Sequence, residues 1–253
     1  MPTDSTKVLH HFISILDCFS LNQPELGVRQ VGRLANLSSS AAGRLMGEMC
    51  AEGILQQNPA SREYALGSRL LSWSNVFLSQ LNIRTTALPF MEDLRRTTGE
   101  TVTLYILEGN DRLCVERMES QHNVRMVTRV GNRLPLYAGS AGKAILAYLP
   151  GERQEEYLRS VDLKPLTSQT MVNPHVLRQE LMKVHQDGFA TSRGEWLLEA
   201  SGVAAPIFSA NGLVAGAMSI SGPASRFTPA LMSAYAEAVV RVTRQISQLM
   251  GFL

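Results

Sequence analysis

Between Tyr137 and Pro150 the chain reads YAGSAGKAILAYLP, a run of small residues and a lysine at the start of a helix-like segment. Such a loop usually faces an anion. A nucleotide P-loop is excluded, because Gly142-Lys143 is followed by Ala144 where the magnesium-binding hydroxyl should stand, and position 137 is Tyr where the first glycine should stand. The dinucleotide fingerprint G-x-G-x-x-G is absent as well. What remains is the chemistry of a helix start: the first N–H groups have no intrahelical partner, and the dipole there is positive. Small residues let a ligand approach that backbone, so Gly139, Ser140, Ala141 and Gly142 suit a carboxylate. A small-residue turn with a serine cap and ordinary packing accounts for the same letters.

Catalytic patterns are poor elsewhere. His10, His11, His122, His175 and His185 show neither H-E-x-x-H nor another metal-ligand spacing. Gly139-Ser140-Ala141-Gly142 is out of frame for the nucleophile elbow G-x-S-x-G. Glu195 and Glu199 form a candidate carboxylate pair, although two such acids more often mark a solvated loop. The expectation is a protein that is not an enzyme and has neither cofactor nor metal. Cys18, Cys50 and Cys114 are isolated, which argues against a zinc ribbon or a disulfide framework and fits a reducing cytoplasm. The N-terminal residues lack the apolar core of a signal peptide, and no apolar run approaches the ~20 residues of a membrane helix. At 253 residues, 45% hydrophobic and 18% charged, the chain is an ordinary globular protein of one or two domains. A net charge of +2 does not by itself indicate nucleic acid.

The elements around these residues fall into two parts. Val8, Leu9, Phe12, Ile13, Leu16 and Phe19 repeat at helical spacing, and so do Val28, Val31, Leu34 and Ala35. Asn36-Leu37-Ser38 interrupts, and Ser38 is a good cap for a further helix through Ala42, Leu45, Met46 and Met49. Two short helices joined by such a turn make a helix-turn-helix. The strand-like pieces of ILQQNPASREYAL, folded around Asn58-Pro59-Ala60-Ser61, make a wing. The second helix of the motif turns Ser39, Ser40, Gly43, Arg44 and Gly47 away from its core face, which suits entry into a major groove. Arg62 stands at the wing tip, and Arg29 and Ser38 complete the candidate DNA contacts. Up to residue 82 basic and acidic side chains nearly cancel, a weak electrostatic footprint. A winged helix used for protein contacts therefore stays open as the alternative.

Next come two helices broken near Asn82, the first with an apolar face of Leu70, Leu71, Trp73, Phe77, Leu78 and Leu81 that calls for a partner. From Thr101 the period becomes that of strands. TVTLYILEG and RLCVERME form a hairpin about Gly109-Asn110-Asp111, and VRMVTRV reads as a third strand. Two helical segments follow, the second ending at Gly188; then strands FATS, GVAAPIFS and LVAGAMSIS, and a long final helix. Hairpins mixed with helices indicate an α+β fold. The expected boundaries are a winged helix-turn-helix over 1–67, a linker helix over 68–82 and an effector-binding and oligomerisation domain over 83–253.

In order and at the right separations, LSSSAAGRLMGEMCAEGIL, YALGSRLL, RVGNRLPLYAGSAGKAILAYLP, PLTSQT, GFATSRGE and AAPIFSANGLVAGAMSISGPASRF resemble the IclR family of bacterial transcription regulators. The resemblance runs from about Lys7 to Gly251. It implies a C-terminal domain of GAF-like fold, dimers or tetramers on a double-stranded DNA operator, and a small organic acid as effector. It implies that Ser140 and Ala141 offer backbone N–H groups to the ligand, that Ser219 and Ser221 point into the pocket from one strand face, and that Met126 and Leu134 line it. Ser192 and Gly202 belong to the same implied set, Tyr137 and Trp196 are close enough in sequence to contribute, and Arg193 would add to the positive field if it turned inward. Ser192 is neutral where some members place an acid. The match gives Lys143 no ligand role; facing out or a structural pairing is expected.

Overall fold

The computed structural model describes residues 4–80, 82–123 and 128–252. It divides into two units, Met1–Gln80 and Leu81–Leu253.

The first unit runs α1 (Asp4–Leu16), β1 (Glu25–Leu26), α2 (Val28–Leu34), α3 (Ser39–Ala51), β2 (Leu55–Gln57), β3 (Tyr64–Leu66) and α4 (Arg69–Ser79). Ile15, Leu26, Val31, Leu45, Met46 and Leu55 meet in one buried cluster. The turn between α2 and α3 needs a left-handed residue, and Asn36 supplies it at φ 56°. The Leu37 N–H then donates to Gly32 O at 2.8 Å. Ser38 Oγ accepts from the Ala41 N–H at 3.2 Å, the cap its sequence position implies. Gly53, at φ 71°, ends the helix. The antiparallel wing β2–β3 gains a third strand that the sequence reading lacks: β1 pairs with β3, giving the order β1-β3-β2.

The second unit runs α5 (Asn82–Thr98), β4 (Thr101–Glu108), β5 (Asp111–Met118), β6 (Arg133–Pro135), α6 (Ser140–Leu146), α7 (Gly151–Ser160), α8 (Pro174–Asp187), β7 (Ala190–Arg193), β8 (Ala200–Phe208), β9 (Val214–Pro223) and α9 (Pro229–Leu249). One antiparallel sheet, ordered β6-β5-β4-β9-β8-β7, lies between two helical layers. Alternate residues serve each layer. Val102, Leu104, Val203, Ala205, Met218 and Ile220 pack with α5 and α9, whereas Tyr105, Ala204 and Ala217 pack with α6, α7 and α8. Asn173 caps α8, and Gly188 ends it in the left-handed region.

Three expectations change here. Of VRMVTRV, residues 124–127 lie outside the described residues, and Thr128 to Val130 are not strand; the third strand of this part is β6 instead. The helix of YAGSAGKAILAYLP is confined to Ser140–Leu146. α7 was not anticipated, because GERQEEYLRS is polar enough to read as loop and buries only Tyr157 and Leu158.

Candidate functional site

In the first unit, α3 keeps Leu45, Met46 and Met49 inside and leaves Ser39, Ser40, Arg44 and Gly47 exposed. Gly43 does not share that open face, since a Cβ there would stand 3.3 Å from Val28 Cγ1, at the packing of α2 on α3. Ser38, Arg29 and Arg62 are exposed too. Arg62 sits in the wing turn at φ 62°, where its carbonyl accepts from Gln57 Nε2 at 3.0 Å. Arg44 Nη1 is not idle: it pairs with Glu48 Oε1 at 3.1 Å, one helical turn away on the same solvent face. Along α4, Leu70 turns into the cluster of this unit. Leu71, Trp73, Val76 and Phe77 stay exposed, and Leu81 lies outside the described residues.

In the second unit, a cavity of about 60 Å³ opens between the sheet and the start of α6. Leu134, Ser140, Ala141, Ser192, Gly202, Ser219 and Ser221 all line it. Register explains the convergence: Gly202 lies opposite Ser192 on one side and Ser221 on the other, and Ser219 faces Thr103 across the β4–β9 ladder. Gly202 gives the space its own side chain would take, because a Cβ there would stand 3.1 Å from Ser140 Oγ. A larger groove of about 290 Å³ lies beside Tyr148, Phe208 and Arg244. Two of its hydroxyls are engaged, Ser247 Oγ on Thr243 O and Tyr148 Oη on His185 O.

One expected site residue among those described does not join the cavity. Tyr137 is buried beside it: its hydroxyl donates to Lys164 O at 3.0 Å and its N–H donates to Tyr157 Oη at 3.2 Å. Chain proximity to the helix start did not translate into a side chain lining the cavity. Met126 lies outside the described residues. Arg193 turns away, donating to Phe227 O and Ala224 O at 3.1 Å each.

The acids at 195 and 199 also separate. Glu199 is exposed, whereas Glu195 is buried. Glu195 Oε2 accepts from the Gly139 N–H at 2.9 Å, and Oε1 meets Lys143 Nζ at 2.6 Å. Lys143, 1% exposed, also reaches Glu180 Oε1 at 2.9 Å. The lysine of the small-residue loop is therefore the centre of an internal ion triad that fixes α6, and it does not face out.

The sequence reading missed Tyr105, Arg112, Thr128 and Ser201 as lining residues, and treated Trp196 only as near in sequence. Arg112 is the most consequential. Its side chain is buried, its Nη1 donates to Ala138 O at 2.8 Å and also to Pro135 O, and its guanidinium lies over the Tyr105 ring at 5.3 Å. Burial pulls its pKa down from the ordinary value, opposed mainly by the nearby Tyr105. A signal existed in the sequence: strand alternation puts Arg112 on the same face as the buried Cys114.

A winged helix-turn-helix followed by an α+β unit places the chain in a class, the DNA-binding transcription regulators. The family model described as "IclR helix-turn-helix domain" matches residues 9–59, and that described as "Bacterial transcriptional regulator IclR C-terminal" matches residues 75–248. The chain belongs to the IclR family of bacterial transcriptional regulators. It is 32% identical to the HTH-type transcriptional regulator KipR of Bacillus subtilis (strain 168), over 98% of this chain and 99% of that protein. The crystal structure of the Thermotoga maritima IclR superposes with a TM-score of 0.84 at 31% identity, covering 97% of this chain and 99% of that one. An IclR homolog from Microbacterium hydrocarbonoxydans, complexed with 4-hydroxybenzoate, gives 0.82 at 30% identity over 96% and 99%. The GAF-like description of the C-terminal unit agrees with these folds.

Proposed function

We propose that this regulator binds its operator through Arg29, Ser38, Ser39, Ser40, Arg44 and Arg62, and answers a small organic acid held by the second unit. The observation that carries the effector half is the cavity, where serines from three strands and the start of α6 meet the apolar Leu134. Donors at one end and an apolar wall at the other suit a carboxylate on a compact body. The 4-hydroxybenzoate complex of the Microbacterium homolog is in keeping with an acid of this class. Residues 1–67 act as the DNA-binding domain, 68–82 as the linker helix and 83–253 as the effector and oligomerisation domain. The exposed apolar side chains of α4 support assembly as a dimer, which a palindromic operator requires. Control of a catabolic operon follows from such an effector.

An effector changes DNA affinity only through its different affinity for two arrangements of the protein. The test is a gel shift against the DNA upstream of the protein's own gene, repeated with a panel of small carboxylates. A salt-sensitive, sequence-selective shift that an acid from the panel alters supports the reading. Absence of any selective shift favours a module acting through protein partners, the alternative that the balanced charge of the first unit leaves open.

A further inference from the structure

Lys143 and Arg112 are two buried cations near the start of α6, and they are treated differently. Lys143 has two carboxylates, those of Glu180 and Glu195. Both oxygens of Glu195 are engaged, one by Lys143 Nζ and one by the Gly139 N–H. Among the described residues no carboxylate pairs with Arg112; its Nη1 meets only neutral carbonyls, of Pro135 and Ala138. Its Nε is buried with no hydrogen-bond partner. Glu195 acts on it through space, without contact.

A guanidinium stays charged in a protein, so burial without a carboxylate leaves a site that an anion completes. Arg112 lines the cavity together with Tyr105 and Ser219. The fold also makes room for it. Gly139, at φ 86°, would bring a Cβ to 3.1 Å from Arg112 Nη2, and a Cβ at Gly142 would collide with Nη1. The two glycines that resemble a phosphate cradle instead admit an arginine.

We propose that Arg112 is the counter-ion of the effector, its guanidinium receiving the ligand's carboxylate, so that the pocket selects acids over neutral compounds of the same shape. This rests on the reading of the cavity as the effector site. The Nη1 bonds to Pro135 O and Ala138 O and a hydrogen bond with Tyr105 hold the guanidinium in place, and none of these partners brings a carboxylate. The hydroxyls of Ser219 and Ser221 add donors without discriminating charge, since they also satisfy an amide carbonyl. Charge selection therefore falls to Arg112.

The test compares acid and amide pairs by calorimetry on the full chain: propionate against propionamide, and benzoate against benzamide. The wild type is expected to bind the acid about tenfold or more tightly than its amide, the range of a hydrogen bond to a charged group. Arg112→Met is expected to lose that preference while retaining weak amide binding, and Arg112→Lys to keep part of it. Circular dichroism and thermal unfolding check that each variant is folded, and the wild-type ratio needs no variant at all. If wild type binds acid and amide equally, or if folded Arg112→Met keeps the preference, the counter-ion role is overturned while the effector site stands. If neither acid nor amide binds, both readings fall.

Discussion

The guanidinium of Arg112 occupies the volume that a side chain at Gly142 would fill. A Cβ at 142 would meet Arg112 Nη1 and lie 2.9 Å from the carbonyl carbon of Leu136. In an exposed helix interior, Gly→Ala stabilises by up to about 1 kcal/mol. Here the sign reverses. Gly142→Ala is expected to destabilise the second unit by about 1–3 kcal/mol, as overpacking does. Urea unfolding measures it, and an unchanged or raised midpoint contradicts the packing described.

Lys143 is buried against Glu195 and Glu180. Lys143→Met leaves Glu195 buried without its cation and is expected to cost about 3–5 kcal/mol. Adding Glu195→Gln removes the stranded charge and recovers a good part of that loss. A double-mutant cycle with both single variants reads the coupling. Strictly additive costs would show that the pair does not hold α6.

Gly202→Ala places a methyl group 3.1 Å from Ser140 Oγ and 3.4 Å from Ser221 Cβ, inside the cavity. Stability is expected to fall by about 1–3 kcal/mol, because the Ser140 hydroxyl can give way but the Ile220 backbone oxygen, also 3.1 Å from that methyl, cannot. Affinity for small acids falls as well. Titration calorimetry beside thermal unfolding separates the two effects, and a variant that binds acids like wild type removes Gly202 from the site.

On the DNA side, Arg44 is paired to Glu48, both well exposed. Arg44→Ala is expected to cost about 1–3 kcal/mol of operator affinity. Glu48→Ala removes a repulsion against phosphate and frees Arg44, so it should tighten binding, most visibly at low salt. Fluorescence anisotropy over a salt series checks both; a Glu48→Ala variant with weakened binding would refute the assignment of this face to DNA.

Cys114 is buried, and burial pushes its thiol from 9.0 up to about 12. Between those values the unfolded chain has lost the proton and the folded one retains it. Fewer protons bound when unfolded means stability falls as pH rises through this window. Native protein at pH 8 should leave Cys114 unmodified by iodoacetamide, and denatured protein should not. Cys114→Ala should flatten the fall in stability between about pH 9 and pH 11. An equally steep fall in the variant would place the titration elsewhere.

Much of this architecture was legible because local rules act alone in the places concerned. Ser38 is a cap wherever a helix begins after it, and Gly188 ends a helix because its left-handed φ is inexpensive. Ser219 and Ser221 share a face by the period of a strand. Arg112 was hidden because a charged residue near a strand end reads as solvent-facing; its shared face with Cys114 was the one local signal, and its seat is made by the distant glycines at 139 and 142. Glu195 was read as solvated because its two partners lie 52 and 56 residues away. Tyr137 was misplaced because no period governs the residues before a helix start. β1 is two residues long, too short for any pattern.

The alternation along β9 reaches beyond packing. Met218 and Ile220 answer to α5 and α9, while Ser219 and Ser221, each one residue further along, answer to the cavity. Neighbouring letters of one strand thus serve separate masters: the even positions secure the scaffold and the odd ones line the cavity. On the function proposed for the cavity, substitutions at Ser219, Ser221 or Gly202 would change what it accepts while leaving the layer of Met218 and Ile220 in place.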